Sequence, residues 1–141
     1  MKTGSLALCA MLATLGSSGP FAADSERETI APAFAHPIAN VPGKTMTAII
    51  VSYAPGAKTA SHRHGQAFVV GYVLEGSIRS KVDSEEEKVY GVGQSWTERP
   101  GAHHRVSENA STTVPAKILA VLVADANAKD LLRFDKPESK K

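Results

Sequence analysis

Residues 56–76 read G-A-K-T-A-S-H-R-H-G-Q-A-F-V-V-G-Y-V-L-E-G and contain the most informative pattern in the chain. It begins at the turn pair Pro55-Gly56 and continues into His62-Arg63-His64. In an extended segment, residues two apart point to the same face, so the imidazoles of His62 and His64 can share one ion. The apolar, β-branched run from Ala67 to Leu74 is typical of a buried strand. The stretch therefore predicts a turn, a histidine pair on one face and a strand.

Further β-type runs follow at short intervals on both sides, and glycines separate several of them. They are Thr45 to Tyr53, Ser77 to Val82, Glu87 to Val92, Ser95 to Glu98, His104 to Ser107, and Pro115 to Ala124. No stretch before the tail has a helical period, so we expect an all-β barrel or sandwich. At 141 residues the chain can bury one core of ordinary size, which predicts a single domain.

Four segments are predicted along the chain. Residues 1–23 have the layout of a secretory signal peptide, with Met1-Lys2 before a short apolar run and Phe21-Ala22-Ala23 at its end. We therefore expect export to the periplasm or beyond, with cleavage after Ala22 or Ala23. Residues 24–44 are predicted to be an irregular arm with at most one short strand, 45–125 the barrel, and 126–141 a tail with one helical turn or an edge strand.

Composition and charge exclude several classes of function. The chain is 43% hydrophobic and 21% charged, as expected of a folded protein, and its net charge of +2 comes from scattered basic residues. We therefore expect no nucleic-acid partner, and the apolar run near the N-terminus is too short for membrane insertion. Cys9, the only cysteine, lies in the predicted signal peptide. The mature chain would thus have no disulfide, thiolate ligand or cysteine nucleophile.

A second histidine pair, His103-His104, follows the turn at residues 99–102 and begins another predicted strand. A barrel can bring this pair close to His62 and His64 in space. Alternation along a strand points neighbouring side chains to opposite faces, so His103 should point away from His104. We therefore expect His103 at the surface or in an interface.

Residues 56–76 and 93–109 resemble the two sequence motifs of the cupin superfamily. The first motif has the form G, five residues, H-x-H, three or four residues, E, six residues, G, and it is matched by Gly56, His62, His64 and Gly76, together with the typical phrase Tyr72-Val73-Leu74-Glu75-Gly76. The second motif is approximated by Gly93, Gly101, His104 and Asn109, although Arg99 replaces its proline and Asn109 stands one position late. The resemblance covers residues 56–109 and implies a cupin double-stranded β-helix, or jelly-roll barrel.

The resemblance also implies a metal site. His62, His64 and His104 would bind one divalent ion, and imidazole ligands do not distinguish Fe, Mn, Zn, Ni or Cu. Val69 stands where cupins usually carry a glutamate ligand, so the acidic ligand is missing from its usual position. Gln66 and Glu98 are candidate fourth ligands, and Glu98 is also the candidate general base. A barrel that has lost its metal is the alternative.

Cupins include enzymes and plain binding domains, so the fold leaves the function open. The first hypothesis is dioxygenase-like or other metal-assisted chemistry on a small oxygenated organic molecule. A site of three histidines carries one more positive charge than a site with an added carboxylate, which favours anionic bidentate substrates such as enolates or catecholates. The alternative is a non-catalytic cupin that binds a metal or small ligand as a sensor or carrier. The resemblance also implies a homodimer, formed by the run 116–123 and the arm before Thr45.

Overall fold

The computed structural model describes residues 27–136, in which eleven β-strands form two antiparallel sheets. In chain order the strands are β1 (Glu28–Pro37), β2 (Lys44–Tyr53), β3 (Lys58–Thr59), β4 (His62–Arg63), β5 (Phe68–Glu75), β6 (Ser77–Val82), β7 (Lys88–Gly91), β8 (Ser95–Glu98), β9 (His103–Asn109), β10 (Ala116–Asp125) and β11 (Arg133–Phe134). The predicted signal peptide lies outside the described residues. Within the described part of the chain, no helix is long and apolar enough to cross a membrane.

The two sheets have the strand orders β1-β2-β10-β5-β8 and β11-β4-β9-β6-β7, and β3 pairs with β9 beside the second sheet. This arrangement confirms the prediction of an all-β, jelly-roll architecture. Strand β10 lies in the middle of the first sheet, and its residues alternate regularly between buried and half-buried positions. One face of each sheet therefore points into a shared interior.

The packing of Trp96 on Gly71 joins β8 to β5 inside the barrel. The two residues are paired directly across the strands, and a Cβ at position 71 would lie 2.3 Å from the indole ring. Because only glycine leaves room for the ring at this distance, the tryptophan can lie flat against the β5 backbone. The indole thus forms part of the floor of the interior, next to Glu98 on the same strand.

The N-terminal arm differs from the prediction. Residues expected to be irregular form the ten-residue strand β1, which pairs with β2 from Glu28 opposite Tyr53 to Pro37 opposite Thr45. The prolines suggested a break because proline cannot donate to a ladder. Here they are tolerated since β1 is an edge strand, and the register shifts between Pro32 and Phe34. In the tail, the edge-strand alternative holds, as the short strand β11.

Candidate metal centre

The second sheet brings the three predicted histidine ligands together. His62 on β4 lies directly opposite His104 on β9, and Arg63 lies opposite His103. Side chains directly opposite each other on antiparallel strands share one face, so the rings of His62 and His104 meet, with centroids 5.0 Å apart. His64 lies two residues further on, with its ring centroid 4.8 Å from that of His62. All three side chains are buried, and their candidate ligand atoms lie within 4.8 Å of one another.

Hydrogen bonds to backbone carbonyls fix the orientation of two of these rings. The Nδ1 atom of His62 lies 2.7 Å from the carbonyl oxygen of Ala60, and Nδ1 of His64 lies 2.7 Å from that of Leu131. A carbonyl oxygen can only accept, so the Nδ1 atom of each ring carries the proton and donates. The lone pair of each Nε2 is then free, which is the form in which imidazole binds a metal.

His104 has a partner on each ring nitrogen. The Oγ atom of Ser80 lies 2.9 Å from its Nε2, and Oε1 of Glu98 lies 3.0 Å from its Nδ1. An ion among the three rings would take the place of one of these contacts. A register shift between β6 and β9 at Lys81 and Val82 is the bulge that allows both His104 and Ser107 to point inward, three residues apart.

Burial keeps His62 neutral. Loss of solvation on burial lowers its pKa from 6.5 to about 4, since the hydrogen bond to Ala60 only partly opposes this effect. The nearby rings of His104 and His64 lower the pKa further. At neutral pH the ring is therefore uncharged and requires no deprotonation before it can coordinate an ion.

Glu98 supplies a carboxylate to the same cluster. It is buried on β8, where its Oε1 accepts a hydrogen bond from Trp96 Nε1 at 3.2 Å. Its Oε2 lies 3.8 Å from Nε2 of His64 and has no hydrogen-bond partner among the described residues. Burial opposes ionisation of the carboxyl group, but the hydrogen bond from His104, the electrostatic effect of the His104 and His64 rings and the hydrogen bond from Trp96 outweigh it, so the pKa of Glu98 is lowered from its usual value. A buried, unpartnered carboxylate oxygen that faces a free imidazole nitrogen is what a cation site requires.

Glu98 also provides the acidic side chain that is missing at Val69, where the family motif carries a glutamate. The two residues are paired directly across β5 and β8, so their Cα atoms are about 5 Å apart. The acidic group is thus displaced by one strand from the position that the family motif indicates. The alternation of Trp96 and Glu98 along β8 is the sequence signal for this side chain, because residues two apart share a face.

A small cavity adjoins the cluster. Its volume is about 30 Å³, enough for an ion and a water molecule, and most of its wall is apolar. Apart from the histidines and Glu98, the residues that line it are Glu28, Ile30, Ile49, Val51, Tyr53, Thr59, Val69, Gly71, Trp96, Ser107, Ile118, Ala120 and Leu132. Ile30 and Leu132 are the exposed side chains of this set, so the cavity opens between β1 and the segment just before β11.

The candidate ligand Gln66 and the predicted surface histidine His103 both lie outside the cluster. Gln66 is exposed and lines an outer groove, so the structure does not bring it to the three histidines. His103 points away from the cavity, as alternation predicts, but its Nε2 is occupied by Ser61 Oγ at 2.7 Å and Asp135 Oδ2 at 2.6 Å. Serine and aspartate share one ring nitrogen here, whereas a hydrolytic triad needs them on opposite nitrogens. These three residues therefore do not form a nucleophilic site.

Comparisons with known proteins agree with this architecture. A family model described as "Cupin domain" matches residues 49–122, more than half of the chain. A cupin-domain-containing oxidoreductase, fogC of Aspergillus ruber, is 30% identical over 74 residues, which are 52% of this chain and 36% of that protein. The chain thus spans about a third of the length of this curated relative.

Solved structures share the fold. The DMSP lyase DddQ from Ruegeria pomeroyi DSS-3 superposes with a TM-score of 0.65 at 16% identity, covering 90% of this chain and 58% of the lyase. A recombinant oxalate oxidase in complex with glycolate superposes with a TM-score of 0.57 at 19% identity, covering 76% of this chain and 54% of the oxidase. Both are enzymes, and at these identities the likeness concerns the fold.

Proposed function

The chain belongs to the cupin superfamily, and from this premise we propose that it binds one divalent metal ion and uses it to act on a small oxygenated organic molecule. The ligands would be His62, His64 and His104. The observation that carries the proposal is the convergence of three buried imidazoles, whose candidate ligand atoms lie within 4.8 Å of one another. The unpartnered Oε2 of Glu98 lies 3.8 Å from Nε2 of His64, and buried polar atoms without partners are rare, so a cation beside His64 would give this oxygen a partner.

The donor set fits a divalent transition metal. Neutral imidazoles bind Zn, Fe, Ni, Cu and Mn, and three of them leave positions free for water or substrate. When bound, the ion would supply Lewis-acid polarisation of a substrate oxygen or, for a redox-active metal, electron transfer. The chain's own groups would hold the ion and exclude bulk water from it.

Glu98 would act as the general base. Its carboxylate is ionised at neutral pH, and one of its oxygens is free on the side of His64. A substrate held beside His64 could lose an O–H or C–H proton to this oxygen, so the substrate need not arrive ionised. Its negative charge also offsets the extra positive charge of a three-histidine site. The preference for anionic substrates expected from three histidines alone is correspondingly reduced.

The cavity sets the class of substrate. A volume of about 30 Å³ with apolar walls admits only a very small molecule unless Ile30 or Leu132 at the mouth moves aside. Small oxygenated acids and carbonyl compounds satisfy this limit and offer the oxygen donors that such an ion prefers. The oxidoreductase named among the similar proteins supports an enzymatic role.

A non-catalytic role in metal or small-ligand binding is the second candidate. The small volume of the cavity favours it, because a site with no room for a substrate would hold only the ion and its water. An enzyme should turn over a substrate and lose that turnover, but not its fold, in His104→Ala. A carrier or sensor should bind its ligand stoichiometrically and release no product.

Metal content is the measurement that tests the proposal. Protein purified without a histidine tag would be analysed by plasma mass spectrometry beside His62→Ala, His104→Ala and the control His36→Ala, whose histidine is exposed on β1. We expect a near-stoichiometric ion in the wild type and the control and its loss in the two site variants. Its identity would then separate redox from Lewis-acid chemistry. Absence of any ion after reconstitution with several metals would refute the proposal.

We also propose that the protein is exported. The charged start, apolar run and small residues of 1–23 support this. Cell fractionation and N-terminal sequencing should find a mature chain that starts near Asp24 outside the cytoplasm. Recovery of full-length protein in the cytoplasm would contradict it.

A homodimer is the proposed assembly. An antiparallel sheet face in contact with water usually carries polar side chains, but the outer face of the first sheet is apolar across four strands. The apolar side chains on this face are Ala31, Phe34, Met46, Ala48, Ile50, Phe68, Val70, Tyr72, Leu74, Leu119, Val121 and Val123. The charged residues of β10 that share the face lie at its two ends, where Asp125 pairs with Lys44 and Lys117 pairs with Glu75, so a second copy centred on Val121 could cover the apolar part without burying an unpaired charge.

Light scattering during size-exclusion chromatography tests this assembly. Val121→Glu would put a carboxylate at the centre of the face and should convert a dimer to a monomer. Val89→Glu makes the same change at an exposed position on β7 of the other sheet and should leave the mass unchanged. A wild-type monomer at all concentrations would refute the proposal.

A further inference from the structure

We infer that the C-terminal strap, residues 130–135, is a positioning element of the metal centre that orients His64 and closes the cavity beside His62. The inference rests on the proposed metal site and adds to it a segment whose sequence suggested no chemistry. It is carried by three contacts of the strap with the site and by the side chains that hold the strap in place.

The contact with His64 comes first. The carbonyl oxygen of Leu131 lies 2.7 Å from Nδ1 of His64, 67 residues away in sequence. This bond keeps the proton on Nδ1 and leaves Nε2 free to coordinate. His62 obtains the same support from Ala60, two residues away in its own segment. Of these two rings, His64 therefore depends on a remote segment of the chain, and that segment is the strap.

The strap also covers His62. In β11, Phe134 is paired directly with His62, and the two rings lie 6.1 Å apart in an edge-on arrangement. Leu132 lines the mouth of the cavity. Without the strap, His62 and the cavity would be open to solvent on this side.

A backbone contact fixes how closely the strap approaches. A Cβ at position 65 would lie 2.6 Å from the carbonyl oxygen of Asp130, and Gly65 has a φ of +56°, a conformation that favours glycine. Glycine next to His64 thus lets the strap rest directly on the backbone that carries this ligand.

A polar clasp holds the end of the strap. Oδ2 of Asp135 accepts hydrogen bonds from Ser61 Oγ at 2.7 Å and from His103 Nε2 at 2.6 Å, and the backbone N–H of Asp135 donates to the Ser61 carbonyl at 3.0 Å. Hydrogen bonds from Ser61 and His103 lower the pKa of Asp135. Ser61 and His103 are the neighbours of His62 and His104, so the clasp joins the strap to both strands that carry the site. Asp135 is therefore a positioning residue.

The test compares Co²⁺ binding, measured by visible absorption in competition with a chelator, in four full-length or shortened proteins. They are the wild type, a chain that ends at Lys129, Asp135→Ala, and the control Glu75→Ala, which removes an exposed carboxylate paired with Lys117 at the end of β10 away from the strap. Loss of outer partners of metal-bound histidines typically weakens affinity about 10- to 100-fold. We expect a loss of this size in the shortened chain, a smaller loss in Asp135→Ala and none in the control. Circular dichroism and the melting temperature report the fold separately.

Each outcome is decisive. A wild type that binds no Co²⁺ refutes the proposed metal site itself, whereas equal affinity in the wild type and a folded shortened chain refutes the role of the strap alone. If the shortened chain does not fold, Asp135→Ala decides, together with hydrogen exchange at the amide of residue 135, which donates to the Ser61 carbonyl. Faster exchange with unchanged Co²⁺ affinity overturns the inference, and unchanged exchange overturns the role assigned to Asp135. Nitrogen-15 spectra of the histidine rings should also show a smaller Nδ1–H population for His64 when the strap is released.

Discussion

The metal-free protein should lose stability between pH 7 and pH 5 because His62 is buried as a neutral ring. Its pKa is 6.5 in the unfolded chain and about 4 in the folded one. As the pH falls below 6.5, the unfolded state binds a proton that the folded state does not bind until about pH 4. The neutral ring of His62 therefore leaves the free energy of unfolding unchanged above pH 6.5. Below that pH the free energy of unfolding falls by about 1.4 kcal/mol per pH unit. Between pH 7 and pH 5 this difference amounts to about 2 kcal/mol.

The assay is urea unfolding followed by the fluorescence of Trp96, the only tryptophan, at both pH values with a chelator present. His62→Gln removes the titrating ring, so its stability should change less between the two pH values than that of the wild type, by about 2 kcal/mol. His36→Gln, at an exposed position, should behave as the wild type does. Equal pH dependence in His62→Gln and the wild type would refute the argument that burial holds this ring neutral.

Three further substitutions test the site and its supports. Glu98→Gln should weaken Co²⁺ binding about 10-fold, because it removes the negative charge beside His64, and an unchanged dissociation constant would exclude Glu98 from the site. Gly71→Ala should lower the free energy of unfolding by about 1–3 kcal/mol, since the new methyl would meet the Trp96 ring at 2.3 Å. Denaturant titration measures this, and an unchanged free energy of unfolding would mean that the ring can move. Asn109→Ala should cost about 1–3 kcal/mol because its Nδ2 donates to the carbonyls of Ala54 and Val114, and an unchanged melting temperature would contradict that anchoring role.

The β-type runs of the sequence, the glycines between them and the spacing of the histidines were sufficient to predict most of the fold. Strands β6 and β8 begin and end where the sequence indicated, and β2, β5, β7, β9 and β10 differ by a residue or a few at their ends. The two-residue spacing of His62 and His64 predicted a shared face, and the pairing of β4 with β9 brings His104 to it. Strand β1 was missed because its prolines are typical of a break. Only its position at the sheet edge makes them tolerable, and an edge cannot be identified from one segment alone.

The strap could not be predicted, for a different reason. Its contact with His64 is made by a backbone carbonyl, which every residue has, so no side-chain pattern indicates it. The two atoms belong to residues 67 positions apart, and only the folded chain brings them together. His103 illustrates the same limit, since alternation predicts its direction correctly but does not identify Ser61 and Asp135 as its partners.

The carboxylate on β8 changes what the centre can do, compared with a carboxylate on β5. From position 98 the side chain accepts a hydrogen bond from Trp96 and contacts His104 through the same oxygen, Oε1. That oxygen is therefore occupied, and Oε2 alone is free to face an ion or a substrate. A carboxylate held in this way can bind through one oxygen at most, and its 3.8 Å distance from His64 Nε2 leaves space for an ion or a proton donor between them. The displacement from Val69 to Glu98 thus preserves the charge of the centre while making this group better suited to move a proton than to chelate.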